Sequence, residues 1–379
     1  YLAFRLINST KFSGFNVTCR VRGRLCRTFN TSGFVTTTVT AESLTGADGT
    51  KVRFRLANID VVSVSSLTVN GTAYSEISAS AQTGNVYQLN RTKGFVEFIT
   101  APAAAATIAI TYVRYARAWT QNPASHLVYF LTETGRGKGF DASKISWPEA
   151  VTLRDYCDAS VTWVSASGEL TAARYKADYA IDARKPIQDH MAALLDACHA
   201  MLFLSDGKFV MKARKGESSV FSFDTSNILV ESDGRSSFEA ELSDRSSKPN
   251  RVKVFFHSEQ NLNAEDETVG EDEADQDARA ARVGNSGVVS QELKFPAVTN
   301  LSQAERLASF FVQENVLSRW VYRFKTSIKG LPLQPGDVVD ITHSRISTLA
   351  AKLARVESID HDDMDRMILT CSEFIAAEF

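Results

Sequence analysis

A cluster of glycines and cations, Gly135-Arg136-Gly137-Lys138-Gly139, has the composition of a phosphate-binding loop. A Walker loop requires GxxxxGK followed by Ser or Thr, with a strand before it and a helix after it. Here Lys138 is followed by Gly139, and the cluster follows a helical pattern instead of opening one. Its last spacing also differs from the dinucleotide fingerprint GxGxxG. We therefore predict a structural role, in which the glycines let the chain leave a helix and turn sharply.

No stretch of the sequence predicts a metal site or a cofactor. The histidines contain no HExxH motif and lie at His126, His190, His199, His257, His343 and His361. The acidic run within residues 261–285 lacks the D-x-[DN]-x-[DN]-G spacing of an EF-hand loop. Because so many adjacent carboxylates cannot be buried together, the sequence predicts a solvated or mobile acidic loop over residues 258–285.

Nucleophilic catalysis is not indicated either, since the chain contains no GxSxG motif. The five cysteines have no paired spacing and are predicted to be reduced thiols: Cys19, Cys26, Cys157, Cys198 and Cys371. The carboxylate pair of a glycosidase is a spatial feature, and no stretch singles out such a pair. We predict no catalytic residue and expect the chain not to be an enzyme.

The bulk composition is that of a globular protein with two or three domains. The chain has 379 residues, of which 42 are basic and 44 acidic, and its formal net charge is −2. A dedicated nucleic-acid-binding protein usually has a strong basic excess, which here is confined to the residues before Glu42, the first acidic residue. No apolar run approaches the ~20 residues of a membrane span.

The elements that must position these residues form a β-rich α+β pattern. Residues 1–27 read as short strands, and residues 31–114 read as an antiparallel β-sandwich with turns at Asn70-Gly71 and Lys93-Gly94. A tight hairpin turn is also predicted at Asp206-Gly207. Helices are predicted near residues 123–134, 147–157, 187–202 and 302–317. Asn122 is the predicted N-cap of the first helix, and Ser302 with Glu305 is the predicted capping box of the last. Four short antiparallel strands are predicted to follow.

Six fragments, in the right order over about residues 115–375, resemble the siphophage tail hub and tail-tip attachment protein family, which is similar to baseplate hubs. They are NPASHLVYFLTETGRGKGF (122–140), LLDACHAMLFLSDGKFVM (194–211), SSKPNRVKVFF (246–256), LSQAERLASFFV (301–312), LPLQPGDVVDITH (331–343) and LARVESIDHDD (353–363). The earlier stretch FSGFNVTCRVRGRLC (12–26) resembles the start of the same module. The usual aromatic residue of the family's YG-G segment is absent, because this chain has Gly135-Arg136-Gly137 there.

The resemblance implies an α+β, β-rich fold with tail-hub β-barrel-like domains, short helices and an inserted antiparallel β-sandwich. The expected domains are a first hub domain split between residues 1–30 and 115–160, an inserted sandwich at 31–114, a helix-containing middle domain at 161–300 with the acidic loop 258–285, and a second hub β domain at 301–379.

The resemblance also implies a structural function in the tail tip of a virion that is assembled in the host bacterial cytoplasm. Hub proteins of this kind form trimeric rings that join the tail tube or distal tail ring to the tip and let DNA pass without specific binding. The expected partners are other copies of the chain, a distal tail or tail tube protein, tail-tip or fibre proteins and the tape measure protein. Subunit-interface residues are expected at Asn122, Pro123, Arg136, Lys138, Pro335, Gly336, Asp337 and Arg355.

Two alternatives remain open. The chain could be a host-surface glycan-binding or receptor-binding adhesin, and aromatic residues clustered on exposed loops of the sandwich would favour this function. It could also be a tail-associated cell-wall hydrolase, which would need two carboxylates converging in a cleft at about 5–9 Å.

Overall fold

The computed structural model describes residues 25–78, 83–165, 168–181, 185–244, 247–261, 263–284, 286–343, 352–362 and 366–375. These residues pack around three hydrophobic cores, which we call the sandwich core, the middle core and the C-terminal core. Most of the strands predicted over residues 1–27 lie outside the described residues, as does Cys19.

The first described part is a β-sandwich with its connections. Its strands are β1 (Cys26–Arg27), β2 (Phe29–Asn30), β3 (Gly33–Phe34), β4 (Thr36–Leu44), β5 (Arg53–Arg55), β6 (Val61–Val69), β7 (Thr72–Ala73), β8 (Ser75–Glu76), β9 (Val86–Asn90), β10 (Phe95–Phe98), β11 (Ile108–Tyr115) and β12 (Arg117–Ala118). The two facing sheets have the strand orders β4-β11-β6-β7 and β5-β10-β9-β8. Alternate side chains such as Tyr112, Phe54 and Phe98 fill the space between the sheets, as period-two patterning requires. All pairs are antiparallel except β8 with β9.

The middle part combines helices, two hairpins and a three-stranded sheet. Its elements are α1 (Pro123–Thr132), α2 (Trp147–Asp158), β13 (Ser160–Ser165), β14 (Gly168–Ala173), α3 (Ile187–Ala197), β15 (Ala200–Ser205), β16 (Lys208–Ala213), β17 (Phe221–Phe223), β18 (Glu239–Leu242), β19 (Arg251–Ser258), β20 (Ala264–Glu271), α4 (Glu273–Val283), β21 (Ser290–Lys294) and α5 (Leu301–Leu317). Two of these strands, β17 and β18, belong to the C-terminal sheet. The sheet has the order β20-β19-β21, and its inner face contributes Val252, Val254 and Phe256 to the middle core.

The C-terminal part is a six-stranded sheet with the order β17-β23-β24-β25-β22-β18. Its new strands are β22 (Trp320–Thr326), β23 (Val338–Ile341), β24 (Lys352–His361) and β25 (Met367–Glu373). Within this group of four strands, every pair is antiparallel, as predicted. The β17 strand is parallel to β23.

The α+β, β-rich class and the inserted sandwich are confirmed. The predicted turns at Asn70-Gly71 and Asp206-Gly207 are confirmed, because all four residues have positive φ. The predicted N-cap at Asn122 is also confirmed, because its side chain accepts a hydrogen bond from Ala124 N. The domain boundaries stay a prediction.

Three predicted elements were wrong in their limits or type. The third helix ends at Ala197 instead of 202, because residues 200–205 pair with β16 and His199 turns the chain with a φ of +47°. The N-cap of α5 is Asn300, whose side chain accepts from Gln303 N at 3.2 Å; Ser302 is buried inside the helix.

The acidic run is not a loop. Within residues 258–285, β20 pairs antiparallel with β19 along its full length, and α4 follows. Alternation lets the strand turn Glu265, Glu267 and Glu271 towards solvent while it packs on α5. Glu273 and Asp275 fall in the first turn of α4, where the positive end of the helix dipole favours them, and Asp272 is its N-cap.

Candidate functional site

The glycine cluster forms a rigid, cation-bearing turn at the end of α1. The N–H groups of Gly137, Lys138 and Phe140 donate to carbonyls of the last helical turns at 3.0, 2.7 and 2.9 Å. A Cβ on Gly137 would collide with Phe130 O, and Gly139 has a φ of +69°. Because these N–H groups cap the helix, they are unavailable to cradle a phosphate. The structural role predicted for these glycines therefore agrees with their geometry.

The predicted interface residues of this first segment separate into two kinds. Asn122 and Pro123 are buried, and the Asn122 side chain bridges Ala124 N and Arg154 O. Arg136 and Lys138 are exposed on the glycine turn. Only these two cations are therefore placed to contact another molecule.

An apolar surface lies next to the glycine turn. The ring of Phe140, 40% exposed, lies 4.8 Å from the ring of Phe209. Leu204 is 64% exposed and stands opposite Phe209 in the β15–β16 hairpin. We call Phe140, Phe209 and Leu204 the hairpin patch.

The predicted interface residues Pro335, Gly336 and Asp337 lie where the middle part of the chain packs against the C-terminal sheet. We call this contact the seam. Gly336 donates to Val356 O at 2.7 Å, and its φ is +87°. A Cβ there would lie 2.9 Å from Met201 Sδ. The Asp337 carboxylate accepts from Lys212 Nζ at 2.5 Å and from Gln334 N at 2.7 Å. Gly336 and Asp337 thus hold the turn against the β15–β16 hairpin.

Arg355 belongs to the same seam and is 3% exposed. Its Nη2 donates to Lys215 O at 2.8 Å, and its guanidinium lies 4.8 Å from the Phe374 ring centroid. Burial, together with the charge of Arg214, lowers the pKa of Arg355, an effect opposed by nearby carboxylates. Arg355 therefore binds within the subunit, as do Gly336 and Asp337, while Pro335 is half-buried beside them.

A charge network completes the seam. Arg214 contacts Glu357 at 2.8 Å and Glu314 at 3.5 Å, so that it links the end of β16 to β24 and α5. Burial raises the pKa of Glu314, although Arg214 opposes the shift. Three elements from two cores are joined by these contacts.

His199 lies beside this network and was not singled out by the sequence. Its ring is 4.1 Å from the ring of Phe310, and its Nε2 is buried without a hydrogen bond from any described residue. Burial, together with the charges of Arg214 and Arg355, lowers the pKa of His199 to about 3. The imidazole is therefore neutral at physiological pH.

Asn250 explains the Pro-Asn pair in the SSKPNRVKVFF fragment. This fully buried side chain donates to Asp275 Oδ2 and Gly287 O, both at 3.0 Å, and accepts from Val289 N at 2.8 Å. It ties α4 and the segment before β21 to the start of β19. The sequence signal was present, but its partners are 25 to 39 positions away.

The described structure gives little support to the two alternative functions, the adhesin and the cell-wall hydrolase. A cavity of about 810 Å³ is lined by residues of α1, α3 and the segments around them, and Asp178 is the one carboxylate among its described lining residues. Its Oδ2 already accepts hydrogen bonds from Gln121 and Thr299. Within the described part of the sandwich, the aromatic side chains are buried or half-buried.

No group of three or more His, Cys, Asp or Glu side chains that could hold a metal ion occurs among the described residues. Over the same residues, no helix combines the length and apolarity needed to span a membrane. Four cysteines are described, and all are buried thiols: Cys26, Cys157, Cys198 and Cys371.

Residues 186–359 match the model of a protein family described as "Putative phage tail protein". The resemblance to phage tail proteins is confirmed. The matched segment contains α3, the seam and most of the C-terminal sheet. It supports the prediction of a structural protein of a phage tail.

The chain trace is also similar to solved structures. The virion of a native gene transfer agent particle gives a TM-score of 0.42 at 13% identity, covering 97% of this chain and 90% of that chain. The tail protein from Neisseria meningitidis MC58 gives 0.39 at 12% identity, covering 89% and 91%. The 43 kDa tail protein of prophage MuSo2 from Shewanella oneidensis gives 0.36 at 11% identity, covering 72% and 73%. A comparison with curated protein sequences gave no match.

Proposed function

We propose that this chain is a tail hub protein of a bacteriophage or phage-like particle. In this proposal, three copies form a ring that joins the tail tube or distal tail ring to the tail tip. The family match over residues 186–359 carries the proposal. The seam supports it, because Arg214, Asp337 and Arg355 hold the middle part and the C-terminal sheet together as one body, and a ring subunit must keep its contact surfaces in a fixed relation.

The subunit contact in this ring would use the glycine turn and the hairpin patch. Arg136 and Lys138 are exposed on a turn that three backbone hydrogen bonds hold to α1, so little backbone conformational entropy is lost when they bind. The adjacent hairpin patch supplies apolar area. Basic side chains around an apolar centre are suited to an acidic surface of the neighbouring subunit.

The ring would let DNA pass with its acidic surface towards the lumen. Glu265, Glu267 and Glu271 lie on the exposed face of β20. Carboxylates repel the phosphate backbone, whereas a positive lumen would bind it tightly. The net charge of −2 is compatible with passage without specific binding. We also infer a structural rather than an enzymatic role.

The test is the mass of the purified chain in solution, alone and with its tail tube partner, by light scattering after size exclusion. We expect three copies. The double variant Arg136→Glu/Lys138→Glu should dissociate, whereas a matched double charge reversal on the sandwich, Arg55→Glu/Lys93→Glu, should leave the assembly intact. A wild-type chain that stays monomeric with its tail partners would disprove the ring.

A further inference from the structure

Two neighbouring tyrosine rings in the middle part each have an arginine over one face. The ring centroids of Tyr156 and Tyr175 are 6.0 Å apart. The guanidinium carbon of Arg174 lies 4.5 Å from the Tyr156 centroid, and that of Arg306 lies 5.6 Å from the Tyr175 centroid. All four side chains are half-buried, so each stays partly accessible to solvent. We call these four residues the arginine–tyrosine cluster.

Three elements of the middle part position the cluster. Tyr156 lies in the last turn of α2, Arg174 and Tyr175 directly follow β14, and Arg306 lies in α5. The backbone fixes this arrangement, because Arg174 N donates to Ala159 O at 2.7 Å. The side chain of Arg306 reaches across to β14, where its Nη2 donates to Arg174 O at 2.6 Å. Folding therefore brings the two arginines close together.

The charges of the two arginines act on each other. Burial lowers the pKa of Arg306, and the charge of Arg174 adds to this shift, although Tyr175 opposes it. The Nε atoms of both arginines are buried without a hydrogen-bond partner among the described residues. Arg214 of the seam, in contrast, has a carboxylate on each of two sides. Because two partly desolvated like charges are costly, an anion that binds both arginines is stabilised by both.

A third cation and two carboxylates surround the cluster. Lys215 Nζ lies 5.6 Å from the Tyr156 centroid and 3.5 Å from Glu217 Oε1. Glu305, next to Arg306 in α5, accepts a hydrogen bond from Trp163 Nε1 at 3.1 Å. The positive region is therefore small and has acidic neighbours. Duplex DNA presents a continuous row of phosphates, which these carboxylates repel, so the surroundings favour an isolated anionic group.

We propose that the arginine–tyrosine cluster binds the carboxylate of an aspartate or glutamate on an acidic segment of a partner protein. Each guanidinium offers a planar fork of N–H donors that matches the two oxygens of a carboxylate. The tyrosine rings hold the guanidinium planes in place, because an arginine stacks favourably on an aromatic face. This site goes beyond the ring and does not rest on it, since it uses neither the glycine turn nor the hairpin patch.

Binding of a fluorescein-labelled hexaglutamate peptide to the full chain, measured by fluorescence anisotropy, tests the site. The measurements use the Arg136→Glu/Lys138→Glu background, so that the exposed cations of the glycine turn do not bind the peptide. We expect Arg174→Gln/Arg306→Gln to raise the dissociation constant about tenfold or more. A background protein that does not bind the peptide would overturn the proposal.

Two further double variants separate recognition of a carboxylate from net charge. Arg55→Gln/Lys93→Gln removes two exposed charges from the sandwich and should leave the dissociation constant unchanged. Arg174→Lys/Arg306→Lys keeps both charges of the cluster but lacks the fork of donors, so it should bind the peptide more weakly than the background protein. Equal weakening by the sandwich variant, or full affinity of the lysine variant, would contradict the proposed site.

Chemical protection tests the cluster without any substitution. Phenylglyoxal modifies arginine side chains, and peptide mapping by mass spectrometry gives the rate at each position. An excess of unlabelled hexaglutamate should slow the modification of Arg174 and Arg306 but not that of Arg55. Protection by a short duplex DNA and not by the peptide would assign the site to nucleic acid and overturn the proposal. Unreactive Arg174 and Arg306 in the free chain would show a cluster closed to ligands and would overturn it as well.

Discussion

Arg27 Nε lies 3.1 Å from Asp60 Oδ2, and this contact fixes the sandwich to the chain segment that enters it. The same carboxylate oxygen also accepts from Arg117, on the segment that leaves the sandwich. Asp60 is 5% exposed, and the Arg27 guanidinium lies 4.6 Å from the Tyr115 ring centroid. Two arginines from the two connections thus share one buried carboxylate, which holds the sandwich in a defined orientation.

Removing this charge should cost more than removing an exposed one. Asp60→Asn leaves Arg27 and Arg117 facing a neutral amide, and we expect the free energy of unfolding to fall by about 3 kcal/mol. Asparagine tolerates the positive φ of Asp60, so backbone strain does not contribute. The control is Glu97→Gln, which removes an exposed ion pair with Arg53 and should cost less than about 1 kcal/mol. Urea denaturation of both variants measures the difference, and equal losses of unfolding free energy would contradict the role of Asp60 in holding the sandwich.

The same pair predicts a pH dependence. Burial alone would raise the pKa of Asp60, but hydrogen bonds and charges from Arg27 and Arg117 outweigh it and lower the pKa below 3.8. A lowered folded-state pKa means that this stabilisation is present at neutral pH and is lost as pH falls through the folded value. The difference between wild type and Asp60→Asn should therefore shrink only in strong acid.

Gly336→Ala should disturb the seam. Alanine at a φ of +87° costs about 1–2 kcal/mol by itself, and its Cβ would press on Met201 Sδ. Gly71→Ala is the matched control, since its φ is +81° but nothing lies within 4 Å of the added Cβ. We expect Gly336→Ala to lose more unfolding free energy than Gly71→Ala. Identical losses would mean that the β15–β16 hairpin moves away from the added Cβ without a cost in free energy, which would contradict tight packing at the seam.

His199 should make stability depend on pH in mild acid. Its folded-state pKa of about 3 lies below the ordinary 6.5, so the unfolded chain binds the proton more tightly and stability falls as pH drops from about 6.5 towards 3. Between pH 7 and pH 5 the loss should be on the order of 2 kcal/mol. His199→Asn accepts the positive φ and should remove this part of the pH dependence. Parallel pH profiles for the two proteins would contradict the prediction.

Asn250→Asp should be strongly destabilising, although it keeps the shape of the side chain. The aspartate loses the donor to Gly287 O and places a second carboxylate against Asp275. We expect a loss of at least about 2 kcal/mol in unfolding free energy. Asn30→Asp is the control, because Asn30 is exposed and its Oδ1 only accepts, from Ser32 N at 2.9 Å. A near-neutral Asn250→Asp would show that α4 is not held through this residue.

The sequence by itself determined the features that depend on neighbouring residues. The positive-φ turns at Asn70-Gly71 and Asp206-Gly207, the N-cap at Asn122 and the alternation of the sandwich strands are local, because turn and cap preferences act within a few positions. The ordered fragments that resemble tail hub proteins also lie in the linear sequence, and the match of residues 186–359 to a phage tail protein family agrees with that resemblance.

Only the tertiary structure decided which charges are buried and which elements the acidic run contacts. The acidic run became a strand and a helix because β19 and α5 lie beside it, which composition cannot show. Asp337 and Arg355, predicted at a subunit interface, contact Lys212 and Lys215 within the chain. Partners more than a hundred positions apart meet only after folding, so the roles of these residues follow from long-range packing and not from local propensity.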